Sequence, residues 1–313
     1  MRVLAVSALC VVVATLQGCG GGGGGASSTP AGSGAAAPSS AIDPGATPSS
    51  ATDAVPPGAT PTASKPLAPP PAPSPSPPGI SPNALWSCDF PHAPTDCGLN
   101  EQTAEPGRAT IVSPGRDGPN AVQLTTQPGD SSIDGSGIYE RADLHLPQSS
   151  DYCNQGQEEW WAHSVMFPSS YVVPPSGSAW NWGIIFDFHN SGPVGQANFE
   201  IVSTPTDLEL WVNGGPAVVN APTDPGSHQV SIGPVITKVW YDFVYHVKWS
   251  AGSDGYFQAW LNGQQVMNFS GATLYSGQSC YLKLADYHTA IGAPVSVIHS
   301  RIVRGASQAD VAM

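Results

Sequence analysis

From Leu85 onward the chain is a succession of short runs, apolar or alternating, each closed by Gly, Pro, Asn, Asp or Ser, and none with a convincing helical period. This pattern constrains the fold more than any other feature. Alternation every second residue marks strands with one buried face. Many such strands with turn residues between them pack as a sandwich or jelly roll. The runs are 109–112, 121–124, 160–167, 183–189, 199–202, 208–212, 241–249, 256–261, 281–284 and 295–303. Asn262-Gly263, between Leu261 and Gln264, predicts a two-residue hairpin turn. All nine Trp lie from Trp86 onward, so the folded part begins there.

What precedes it reads differently. Met1-Arg2 is followed by an apolar stretch from Leu4 to Leu16, too short to span a membrane as a helix. Leu16-Gln17-Gly18-Cys19 resembles the bacterial lipobox, which implies a signal peptide over residues 1–18 and a lipidated Cys19. Acyl chains on Cys19 would make the membrane a partner, and Gly20 after it points to the outer membrane or cell surface. Residues 19–84 are rich in Gly, Ala, Ser and Pro and lack the apolar residues to offset chain entropy, so they read as a disordered tether. The folded domain is then 85–313.

Charge excludes one class of partner. With 10 Lys and Arg against 23 Asp and Glu, the net charge of −13 argues against nucleic acid. A densely anionic polymer would also be repelled, so any anion must be held by a few well-placed cations. Of six Cys, Cys10 leaves with the signal and Cys19 carries lipid. Cys88, Cys97, Cys153 and Cys280 remain, an even number in an oxidising compartment. Three pairings are open. Cys88–Cys97 with Cys153–Cys280 is favoured, since the first closes a short local loop. No spacing suggests zinc.

Alternation sorts the ionisable residues onto faces. Arg141, Asp143 and His145 share one face, as do Asp187 and His189, with Phe186 and Phe188 opposite. Lys283 and Tyr287 lie opposite Leu282 and Leu284, while Asp242, His246 and Lys248 alternate with aromatic and aliphatic residues. A sheet with one such face offers a groove for a polar polymer. The plainer alternative is a solvated outer surface, and His246 and Lys248 fit it better than a catalytic role.

Three segments resemble the three motifs of jelly-roll polysaccharide lyases, the group of heparin, glucuronan and alginate lyase folds. Arg141-Ala142-Asp143-Leu144 is similar to their Arg-x-Glu-Leu strand, and Asp187-Phe188-His189 to their Gln-x-His strand. The segment from Tyr281 to Tyr287 is similar to their Tyr-Phe-Lys-x-Gly-x-Tyr strand, with both Tyr and Lys283 in register. Residues 158–168 and 240–250 resemble flanking strands of the same group. The resemblance covers about 130–305. It implies an all-β, concanavalin A-like jelly-roll β-sandwich and a lyase acting on an acidic polysaccharide.

Such a reaction removes the C5 proton of a uronate and expels the C4 glycosidic oxygen. Arg141 is the candidate for neutralising the carboxylate, His189 for the base and Tyr287 for the acid. For some sugar stereochemistries one Tyr serves as both base and acid. Lys283, Tyr281, Asn190, His288 and Trp182 are candidates for substrate contacts. Asp187 departs from the family pattern: a Gln amide donates to the carboxylate, whereas an ionised Asp repels it. Either Asp187 is protonated, or it orients His189, or an ion sits there, or the substrate differs. No cofactor is required. A structural calcium is compatible with related folds, although no ligand set here compels one, and a monomer is expected.

The competing reading is a non-catalytic, lectin-like glycan-binding sandwich, which needs no His–Tyr pair. A glycoside hydrolase of this fold needs two placed carboxylates; Glu200 and Glu209 stand isolated in sequence. No Gly-x-Ser-x-Gly elbow supports an esterase.

Overall fold

The computed structural model describes residues 80–130, 139–176 and 181–312. The signal segment 1–18, Cys19 and most of the tether 19–84 lie outside these residues. The strands are β1 (Trp86–Cys88), β2 (Asn100–Thr103), β3 (Ala109–Val112), β4 (Ala121–Thr126), β5 (Tyr139–His145), β6 (Glu158–Met166), β7 (Gly183–Asn190), β8 (Phe199–Ser203), β9 (Leu208–Asn213), β10 (Ser227–Ser231), β11 (Trp240–Lys248), β12 (Tyr256–Leu261), β13 (Gln264–Ser270), β14 (Cys280–Thr289) and β15 (Val295–Gly305).

They form two antiparallel sheets. Sheet A runs β13-β12-β11-β6-β15-β4-β3, with β1 on β15; sheet B runs β10-β9-β8-β7-β14-β5-β2. Between them lies an apolar layer in which Phe186, Phe188, Phe199, Tyr245, Trp249 and Phe257 are fully enclosed. The alternation read from sequence is what builds it. Tyr241, Phe243, Tyr245 and Val247 of β11 point in, and Asp242, Val244, His246 and Lys248 point out. Asn262 and Gly263 both have positive φ, 50° and 78°, as the primed hairpin turn between β12 and β13 requires.

Both favoured disulfides form. Cys88–Cys97 has a Cα separation of 5.6 Å. Cys153–Cys280 has one of 5.1 Å and joins the segment before β6 to the first residue of β14. Ile80 and Ala84, at the end of the stretch read as tether, pack against a buried cluster of Ala162, Val303 and Val311. No helix among the described residues is long and apolar enough to cross a membrane. Among the same residues no group of three or more His, Cys, Asp or Glu is placed to hold a metal ion.

Candidate active site

Register on sheet B aligns the polar residues into rows that cross the strands. One row is His145 (β5), Lys283 (β14), Asp187 (β7), Glu200 (β8) and Trp211 (β9). The next is Arg141, Tyr287, Ile184, Val202 and Glu209. His189 faces Tyr281 in a third. These side chains occupy the outer face of sheet B, because their sequence neighbours Leu144, Leu282, Leu284, Phe186 and Phe188 fill the core.

Arg141, Tyr287, Asp187, His189, Lys283 and Trp182 line one cavity of about 260 Å3. The Arg141 guanidinium lies 3.8 Å from the centre of the Tyr287 ring. Trp182 stacks on Tyr139 at 5.4 Å and meets Tyr287 edge-on at 5.1 Å. The Tyr287 ring is thus fixed by aromatic contacts and a cation together. Beneath lies Asp143, fully buried. Lys283 Nζ sits 2.7 Å and Arg141 Nε 3.3 Å from the same Asp143 oxygen. One buried carboxylate therefore anchors two cations, leaving a net positive charge in the cavity wall.

Burial shapes the proton affinities. His189 is pushed down to about 4 by desolvation and then by Lys283, so the imidazole is neutral near pH 7. Its Nδ1 lies 2.8 Å from the Asn190 carbonyl, which can only accept. Nδ1 therefore carries the hydrogen, and Nε2 keeps its lone pair. Tyr287 is raised by burial, against the opposing effect of Arg141, and stays protonated. Burial raises Asp187 to about 7, with Lys283 opposing and Asp143 adding to it. Glu200, its cross-strand neighbour, rises to about 8 through burial and the proximity of Asp187. Asp187 Oδ1 and Glu200 Oε2 are buried without a hydrogen-bond partner. The other Glu200 oxygen accepts from the Ala197 N–H at 2.6 Å.

Not every candidate reaches the cavity. His288 and Asn190 sit on the inner side of sheet B, which corrects their assignment to the substrate. His288 is 3 % exposed. Its Nε2 lies 2.8 Å from the Thr126 hydroxyl of sheet A and its Nδ1 2.7 Å from the Thr289 carbonyl. Adjacent strand residues point to opposite faces, so His288 cannot share the side of Tyr287. Asn190, two residues beyond Phe188, spends its amide on the Gly195 and Gln196 carbonyls. Tyr281 stands beside His189, with ring centres 5.2 Å apart. Tyr287 is six residues further along β14, which is roughly 17–20 Å of strand. Sequence reading missed Glu200 as a partner of Asp187, and also Tyr139. The signal for Glu200 was present: a carboxylate in an otherwise apolar strand.

The family model of polysaccharide lyases matches residues 95–301, and the chain belongs to that family. It is an enzyme of the lyase class. Among solved structures, the endo-β-1,4-glucuronan lyase of the fungus Trichoderma reesei superposes with a TM-score of 0.53 at 16% identity, covering 73% of this chain and 98% of that one. An alginate lyase in complex with an alginate trisaccharide gives 0.46 at 16% identity, covering 72% and 99%. Alginate lyase A1-II' gives 0.44 at 15% identity, covering 64% and 84%. At this identity the likeness to the glucuronan lyase speaks for the fold. No curated protein matches the chain.

Proposed function

We propose that this lyase cleaves a uronic-acid-containing glycan by β-elimination in the cavity between Arg141 and His189. Arg141 and a protonated Asp187 receive the uronate carboxylate, which lets charge spread onto it as C5 loses its proton. His189 Nε2 takes that proton. The C5–H electron pair becomes the C4=C5 double bond, the C4–O4 bond breaks, and the Tyr287 hydroxyl protonates the departing O4. The proton on His189 then returns to Tyr287 through solvent. The observation that carries this reading is the imidazole: His189 is held neutral, with Nε2 free, in the cavity that Arg141 and Tyr287 also line.

The separation of His189 and Tyr287 along β14 favours a second reading, in which Tyr287 alone serves as base and acid. One experiment decides. Residues 80–313 are incubated with a panel of uronate polysaccharides while ultraviolet absorbance of the new double bond is followed. Loss of at least about 100-fold in both His189→Ala and Tyr287→Phe supports the pair. Retention in His189→Ala with loss in Tyr287→Phe supports the single tyrosine. Absence of absorbance on every polymer, with binding intact, leaves a lectin-like protein.

From the sequence alone we also propose that Cys19 carries the lipid that holds the enzyme at the outer membrane. Radiolabelled palmitate should enter the wild-type chain and not Cys19→Ala.

A further inference from the structure

The two rows on sheet B change from cations to carboxyl groups from one side of the face to the other. Arg141 and Lys283 stand on β5 and β14; Glu200 and Glu209 stand on β8 and β9. The cavity of about 260 Å3 opens into a wider one of about 750 Å3, and Trp182, Ile184, Glu200 and Asn220 line both. Beyond Glu200 the wider part is walled by Trp211, Glu209, amides and hydroxyls. No Lys, Arg or His among the described residues lines it. Residues 131–138 and 177–180 contain none in their sequence. The domain has few cations to spare. Arg108 is held by Asp130, Arg116 by Asp242, Lys248 by Asp254 and Arg304 by Glu159. Arg301 lies 3.7 Å from Asp117.

We propose that this wider part of the groove binds an uncharged sugar, so that the substrate is a glycan whose cleaved uronate is flanked by neutral residues rather than a homopolymer of uronic acid. The proposal rests on the β-elimination reading above and names its substrate class. A second carboxylate placed there would meet Glu209 with no cation among the described lining residues to offset it. An uncharged ring finds the opposite conditions. Trp211 is fixed by its indole N–H, which donates to Glu209 at 2.7 Å. Trp182 is fixed by Tyr139 and Tyr287. Between them, Asn181 and Asn220 offer amides to hydroxyls. In a strictly alternating polymer both neighbours of the reacting uronate are neutral, so the assignment holds whichever way the chain runs.

The test compares initial rates, by absorbance, on alternating polymers of a uronate with a neutral or N-acetylated hexose, hyaluronan among them, and on homopolyuronates such as glucuronan and alginate. The expected result is a kcat/KM at least about tenfold higher on an alternating polymer. Glu209→Lys, which places a cation in the groove, should narrow that ratio several-fold through a lower KM on the homopolymer. Glu209→Gln, which keeps an acceptor for Trp211, should move it in the same direction. Equal or faster cleavage of a homopolyuronate by the wild type overturns the inference and leaves the lyase reading standing. A preference for the alternating polymer that both variants leave unchanged also overturns it, because the groove would not be its source. No cleavage of any polymer overturns both.

Discussion

The outer faces of the two sheets carry the same kinds of residue and treat them in opposite ways. On sheet A, His246 pairs with Glu158 at 2.8 Å, Lys248 with Asp254 at 2.8 Å, and Asp242 with Arg116 at 2.9 Å. Each charge has a local partner, and the His246 and Lys248 pairs, whose carboxylates Glu158 and Asp254 are open to water, contribute little. On sheet B, Asp143 and Lys283 are almost wholly buried, and one carboxylate serves two cations. Asp187 and Glu200 are pushed up toward neutrality and His189 down. A polar strand face is therefore not by itself a site. Burial that leaves polar atoms short of partners makes it one, because a ligand can then complete them.

The comparison breaks most visibly at the two arginines. Arg141→Gln should lower kcat/KM by about 10²–10³-fold in the absorbance assay, since Arg141 faces the cavity where charge develops. Arg116→Gln, in the β3–β4 connection where the arginine pairs with Asp242 of sheet A, should stay near the wild-type rate. The reverse order would place the site on sheet A.

Stability should divide the same way. Asp143→Ala strands the buried Lys283 and removes a partner of Arg141, a change that costs about 3–5 kcal/mol and should appear as a large fall in the urea midpoint. Asp254→Ala should leave that midpoint unchanged within error. Equal effects would mean that burial does not separate the faces.

The smallest effect is a slope. Burial raises Asp187 and Glu200 above their unfolded values, so the stability they contribute is full below about 4 and is lost as pH rises through about 7 and 8. The buried His189 and His299, pushed down to about 4, oppose this up to about pH 6.5, so the melting temperature should fall between pH 6.5 and 8.5. Activity should fall over the same range as an ionised Asp187 repels the uronate. Asp187→Asn, an amide at every pH, should flatten both curves, and an unchanged alkaline limb would remove Asp187 from the carboxylate site.

The sequence was most legible where alternation was strong. The limits of β3 and β12 match their runs, and β7 and β8 differ by one residue. It failed at the edges of sheet B, where β2 (Asn-Glu-Gln-Thr) and β10 (Ser-His-Gln-Val-Ser) pair on one side only and carry almost no apolar residues. At the site, motif resemblance brought Arg141, Lys283, Asp187, His189 and Tyr287 to one cavity. It misplaced His288 and Asn190, because closeness along a strand was taken for closeness in space. It could not find the Asp187–Glu200 pairing, which depends on which strands are neighbours. Nothing in a single run of residues reveals that.

The bond between Cys153 and Cys280 spans 127 residues and ends at the first residue of β14, immediately before Tyr281. The strand that carries Lys283 and Tyr287 is thereby tied to the segment between β5 and β6 by a link that reducing compartments do not keep. Oxidation then acts as a licence: in reducing surroundings the chain holds every residue of the site but lacks the fastening of the strand on which half of it stands. A glycan-cutting enzyme built this way completes its site only where the surroundings are oxidising.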